Sequence, residues 1–97
     1  MKLITFFESI LRMVYDLIEG IGIVAGISTT AAFIPQVYKT WTTKSVKDIS
    51  LLMYTVLCTG VALWIVYGLV IGSPSVIGAN IVTLMLAASM LFMKLRY

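Results

Sequence analysis

The chain alternates long apolar stretches with short polar ones. Gly20 to Tyr38 carries no charged residue, and neither does Ile49 to Met93, which is interrupted only by Gly72-Ser73-Pro74-Ser75. A helix needs about 20 apolar residues to cross a bilayer. The second stretch is too long for one crossing and right for two joined by a tight turn. Three membrane-spanning helices are therefore predicted, at about 20–39, 51–71 and 76–93. Thr40 to Ser50 is the one substantial loop, in which Asp48 or Ser50 can cap the second helix.

Residues 1–19 follow a different pattern. Glu8, Arg12, Asp16 and Glu19 fall on one helical stripe, and Phe6, Phe7, Ile10, Leu11, Val14, Leu17 and Ile18 cover the rest. An amphipathic helix in the membrane interface fits this pattern. A helix continuing straight into the first span is the alternative. The organisation expected is thus an amphipathic N-terminal segment, 1–19, and a three-helix transmembrane domain, 20–97.

Composition strengthens this picture: 61% of the 97 residues are hydrophobic, 11% are charged, and mean hydropathy is +1.07. A soluble domain of this length needs far more polar surface. No cleavable secretory signal is expected, since no small-residue cleavage site follows a clean apolar core. The net charge of +3 does not indicate nucleic-acid binding, because the basic residues flank spans instead of forming a patch. The lone Cys58 has no intrachain partner.

Charge also orients the chain. With three spans, the 40–50 loop and the C-terminus share one side, which holds Lys39, Lys44, Lys47, Lys94 and Arg96; the other side holds Lys2 and Arg12. Five against two places the C-terminus in the cytoplasm and the N-terminus outside. Every copy would insert the same way. Three helices cannot enclose a wet path for a metabolite, so permeation would require a second, parallel copy about a two-fold axis.

Within the spans, Pro35 and Gln36 interrupt an otherwise apolar helix. Proline cannot bond the carbonyl four residues back and crowds it, which fits a hinge lining a cavity or, equally, a helix nearing its end. Gly22-x-x-x-Gly26 and Gly68-x-x-x-Gly72 permit close helix approach. The hydroxyls of Ser28, Thr29 and Thr30 are expected to bond back to their own helix.

Gly60, Trp64 and Tyr67 share a face of the second span; Asn80, Thr83 and Ala87 share one of the third. Counted from the outer turn, Trp64 and Asn80 lie at similar depths, roughly 10 and 8 Å at 1.5 Å per residue. An indole face beside an amide suits a sugar, whose C–H faces pack on rings and whose hydroxyls need donors and acceptors. An interhelical Asn bond and a buried Trp remain the alternative. Gly60, one turn from Trp64, leaves room for a ligand or for another helix.

No ionisable residue lies deep in a span, which disfavours proton- or sodium-coupled transport and an exporter built on a membrane carboxylate. With no histidine, no nucleophile–base pair and no cluster of metal ligands, neither catalysis nor a metal or other cofactor is expected.

Several motifs occur in order: Phe33-Ile34-Pro35-Gln36, then Thr43-Lys44-Ser45 leading to Asp48-Ile49-Ser50, Leu63-Trp64-x-x-Tyr67-Gly68, and Ala79-Asn80-x-x-Thr83. Together they resemble the PQ-loop signature of the SemiSWEETs, bacterial three-helix half-transporters for sugars. The resemblance covers roughly 20–97. It implies an all-α membrane protein packed in the order first, third, second helix, a parallel homodimer in the bacterial inner membrane, and alternating access for mono- or disaccharides of glucose or sucrose type by facilitated diffusion. It implies that Trp64 and Asn80 line the sugar site, that Pro35-Gln36 is the hinge, and that Tyr67 lies near an outer gate and Met53 or Tyr54 near an inner one. Leu69 to Ser75 is uncharged, so outer closure would rely on Tyr67 and apolar packing. A non-transporting membrane assembly subunit, with Trp64 and Asn80 joining helices, is the competing reading.

Overall fold

The computed structural model describes residues 2–97, which form three helices: α1 over Lys2–Thr43, α2 over Leu51–Ile71 and α3 over Pro74–Arg96. All three are long and apolar enough to cross a membrane. The boundaries of α2 match those expected, and α3 extends two or three residues further at each end.

The first helix departs from expectation. It runs unbroken through Glu19-Gly20 for 42 residues. Residues 2–19 are its N-terminal extension and not a separate helix; Met1 lies outside the described residues. One glycine costs a helix only about 1 kcal/mol, and nothing else near position 20 stops propagation. At 1.5 Å per residue α1 accounts for the molecule's 63 Å long dimension, about twice the hydrocarbon thickness. Pro35 lies inside this continuous helix.

The connections obey simple cap chemistry. Lys44 ends α1 with a left-handed φ of 56°, its N–H donating to the Thr40 carbonyl. The Ser50 hydroxyl caps α2 by accepting from Met53 N at 3.1 Å, which resolves the Asp48-or-Ser50 alternative. Gly72 ends α2 at φ 68°, a conformation glycine adopts without penalty. Ser73 caps α3 at Val76 N, and Pro74 occupies the first helical turn, where its missing N–H costs nothing.

Helix α3 packs against both α1 and α2, whose backbones share no close approach. Small residues permit this. A Cβ on Gly26 would lie 2.5 Å from Ala79 Cβ, and one on Gly22 would lie 2.5 Å from Ser75 Oγ. On α2, a Cβ on Gly68 would meet Ile77 and Val76 at 3.0 Å. Gly22, Gly26 and Gly68 therefore mark real helix contacts, all made to α3, whereas Gly72 serves as the cap of α2 with nothing within 4 Å.

Tyr54, Ala87, Met90 and Met93 bury together with Val46 of the loop, flanked by Phe33, Val37 and Leu57. This core occupies the half of the bundle nearest the 44–50 loop. Lys94 Nζ donates to the Val46 carbonyl at 2.9 Å and holds the loop there. Most other apolar side chains are exposed, as befits a chain whose solvent is lipid.

Candidate functional site

The contacts of α3 fix the register of the bundle. Gly68 meets Val76 and Ile77, and α2 and α3 run antiparallel. One further turn into each helix brings Trp64 level with Asn80, in agreement with the depth count from the sequence.

Trp64 is 54% exposed and Tyr67 51%. Their rings meet edge to face, 5.4 Å apart at 89°, a favourable aromatic geometry. With Gly60 and Leu63 they line an open concavity of about 550 Å³. Nothing lies within 4 Å of a Cβ built on Gly60, so no helix of the same protomer fills that space. The aromatic face is thus presented outward, uncovered.

Asn80 is half-buried and donates one amide N–H to the Val76 carbonyl of its own helix at 2.8 Å. This uses one of its two donor positions and none of its acceptor capacity. Thr83, one turn on, bonds the Ala79 carbonyl. Ser28 and Thr29 likewise bond back to carbonyls of α1, as expected for hydroxyls in apolar helices, whereas among the described residues Thr30 makes no such bond and lines a groove between α1 and α3.

Gln36 lies on the exposed surface of α1, yet its Oε1 accepts from the Tyr54 hydroxyl of α2 at 3.4 Å. This long, weak bond joins the Pro-Gln pair directly to α2. The two inner-gate candidates have opposite environments: Met53 is 51% exposed, whereas Tyr54 is 2% exposed in the core. Tyr54 is built into the protomer core, while Met53 remains on its surface.

The opposite end of the bundle holds a polar cluster that sequence reasoning missed. Glu19, on the stripe of the amphipathic segment, lies within α1. Its carboxylate accepts from Ser73 Oγ at 2.6 Å and from Ser75 Oγ. The Tyr15 hydroxyl lies 3.2 Å from the same carboxylate and 2.8 Å from the Gly72 carbonyl. The uncharged α2–α3 turn therefore receives a carboxylate from α1, so its fastening does not depend on apolar packing alone. A spacing of more than 50 residues hides this pairing in the sequence.

Glu19 lies one residue before the uncharged span. The Ser73 hydroxyl, and after it that of Ser75, holds its carboxyl below the usual carboxylate value, against an opposing desolvation. A carboxyl depressed in the folded state contributes stability in full above its unfolded pKa, about 4.3. That contribution is lost as pH falls through the lower folded value. Melting of the purified protein is expected to show this acid-side loss of Tm, and Glu19→Gln is expected to flatten it. An unchanged acid limb in the variant would assign the loss elsewhere.

At the loop end, Lys44 Nζ lies 3.1 Å from the Tyr97 hydroxyl and 4.5 Å from the ring centroid. This hydrogen bond is the main cause of a lowered Tyr97 pKa, to which Arg96 also contributes. Among the described residues there is no group of His, Cys, Asp or Glu able to hold a metal ion.

Three apolar helices, with an exposed aromatic pair on α2 and a half-buried amide at a similar depth on α3, define a small membrane-protein protomer. Comparison with known proteins gives the family. The PQ loop repeat model matches residues 17–77. The sugar transporter SemiSWEET of Bradyrhizobium diazoefficiens is 48% identical over 81 residues, covering 84% of this chain and 94% of that protein. Two crystal structures superimpose closely. A bacterial homologue of SWEET transporters has a TM-score of 0.79 at 46% identity, covering 84% of this chain and 98% of the other. SemiSWEET in an inward-open conformation has 0.77 at 44%, covering 84% and 87%. The chain belongs to the SemiSWEET family of PQ-loop proteins.

Proposed function

We propose that the chain is a carrier for small sugars, of glucose or sucrose type, and not an enzyme. It works as a parallel homodimer by alternating access and facilitated diffusion. One observation carries this reading: the Trp64–Tyr67 pair stands uncovered above the open space at Gly60, level with Asn80, in spans whose interiors hold no Asp, Glu, Lys, Arg or His. A buried Trp and an interhelical Asn bond would have favoured an assembly subunit. Trp64 is instead half exposed, and the Asn80 bond stays within its own helix.

A second, like-oriented copy would close the open faces into a chamber about a two-fold axis, with two indoles and two amides in one layer. The lysine and arginine bias supports a bacterial inner-membrane protein with its N-terminus outside and its C-terminus cytoplasmic. The contacts of α3 with both other helices support the packing order first, third, second. Residues 2–19, as an extension of α1, would project along its axis beyond the outer surface of the bilayer.

In this mechanism sugar stacks on Trp64 and bonds Asn80, with Gly60 giving it room. Tyr67 closes the outer side and Met53, next to the buried Tyr54, the inner side. Pro35 provides the flexible point of α1, and the Gln36–Tyr54 bond joins its movement to α2. Glu19 fastens the outer end of α1 to the α2–α3 turn, so bending concentrates at the inner end. With no ionisable relay, the sugar gradient alone supplies the driving force.

Radiolabelled sugar counterflow in proteoliposomes tests the proposal. Preloaded vesicles are expected to accumulate labelled glucose or sucrose transiently, with no dependence on a pH gradient. No overshoot across a panel of mono- and disaccharides would leave the assembly-subunit reading. Pro35→Ala is expected to slow exchange about tenfold, near 1.4 kcal/mol on the barrier, with a smaller change in sugar affinity. Equal losses in rate and affinity would remove the hinge role.

A further inference from the structure

A second groove lies on the reverse of the bundle. Tyr38 and Trp41 of α1 line it with Met85, Ser89, Phe92 and Tyr97 of α3, and its volume is about 630 Å³, within the range of small-molecule sites. It is not the sugar face. At 100° per residue, Met85, Ser89 and Phe92 fall about 140°, 180° and 120° from Asn80 around α3. On α1 the lining residues Tyr38 and Trp41 fall about 160° and 140° from Gln36, which bonds α2. The groove therefore opens away from α2 and from the Asn80 face.

Its length and its rim identify an occupant. From Met85 to Tyr97 it extends about 18 Å along α3, close to the depth of one leaflet of a roughly 30 Å hydrocarbon core. Its walls are apolar and aromatic, and its indole and phenol rings suit the headgroup level. At its end two cations converge on Tyr97: Lys44 Nζ, 3.1 Å from the hydroxyl, and Arg96, whose charge also acts on that hydroxyl. Lys39, Lys47 and Lys94 share this side of the membrane with Asp48 as the one acidic side chain. An apolar slot one leaflet deep, ending in paired cations, matches a phospholipid with a negatively charged headgroup.

We infer that the α1–α3 groove binds one anionic phospholipid, its acyl chain along Met85, Ser89 and Phe92 and its phosphate at Lys44 and Arg96. The Tyr97 hydroxyl would donate to a phosphate oxygen while Lys44 keeps its place over the ring. The site is separate from the sugar face, so its test needs no transport assay.

The full-length protein, purified in detergent, is offered phosphatidylglycerol or phosphatidylcholine of identical acyl chains, and retained lipid is counted by native mass spectrometry. Two cations at the rim are expected to favour phosphatidylglycerol by about thirtyfold. Lys44→Gln with Arg96→Gln is expected to bring the two lipids level. Ser89→Phe, at an exposed position, is expected to displace both lipids while far-ultraviolet circular dichroism confirms an intact fold. Equal retention of the two lipids by the wild-type protein would overturn the proposal. So would undiminished phosphatidylglycerol in both variants, or disulfide-linked copies formed through Ser89→Cys, which would assign the groove to a second copy of the chain.

Discussion

Trp64→Ala is expected to abolish sugar counterflow, lowering exchange by at least about a hundredfold, or roughly 2.7 kcal/mol. The indole offers the largest flat apolar surface at the level of Asn80, and stacking on such a face contributes more than its area alone. Alanine would leave the sugar facing an open gap beside Gly60. The effect is expected on binding and transport while the fold persists, because Trp64 is half exposed and its ring contact is with neighbouring Tyr67. Asn80→Ala should reduce exchange about ten- to hundredfold, as a desolvated sugar hydroxyl left unpaired costs about 1–3 kcal/mol. Expression, melting and counterflow measured together check both variants. Normal transport by either one would remove that residue from the site.

Gly26→Val is expected to cause the largest loss of stability. A Cβ at this position would stand 2.5 Å from Ala79 Cβ and 3.5 Å from Ala79 Cα. Neither atom belongs to a flexible side-chain end, so relief requires α1 and α3 to move apart. Overpacking of this kind costs about 1–3 kcal/mol, and the contact also sets the register between the two helices. Lipid supplies no hydrophobic drive to restore it, since helix association in membranes rests on packing and hydrogen bonds. Thermal melting in detergent should fall sharply for Gly26→Val. Gly60→Ala, with nothing within 4 Å, should melt like the wild type. Similar melting of all three proteins would contradict the close-approach account.

Both expectations depend on which faces of the helices touch, and that was the part of the fold least legible in the sequence. The number of spans followed from their length and lack of charge, and the Gly72–Ser75 break announced the α2–α3 turn. Glycines four residues apart indicated close approach without naming its partner. Faces were harder because the spans are apolar all round; lipid-facing and protein-facing positions then carry the same residue types. Met53 and Tyr54 illustrate this, adjacent in sequence yet 51% and 2% exposed.

Polar contacts across distant segments were invisible for a different reason. Glu19 and Asp16 look equivalent along the amphipathic stripe. Only the meeting of α1 with the α2–α3 turn distinguishes Glu19, through Ser73 and Ser75. The same contact explains why α1 continues past Gly20: Tyr15 and Glu19 are drawn to the turn along the axis of the first span, not away into the interface plane. The depth match of Trp64 and Asn80, by contrast, needed only the turn position and the helical rise. It reappears in the Gly68–Ile77 register.

The central claim is that two copies enclose a sugar chamber at the Trp64–Asn80 level. Gly60→Cys in a Cys58→Ala background leaves a single thiol in the open space one turn from Trp64. The decisive measurement is the rate at which a bifunctional thiol reagent joins two such chains in membranes, with and without a sugar that the same protein exchanges. The account expects a covalent dimer whose formation the sugar slows. No dimer, or a dimer formed at one rate regardless of sugar, would contradict it.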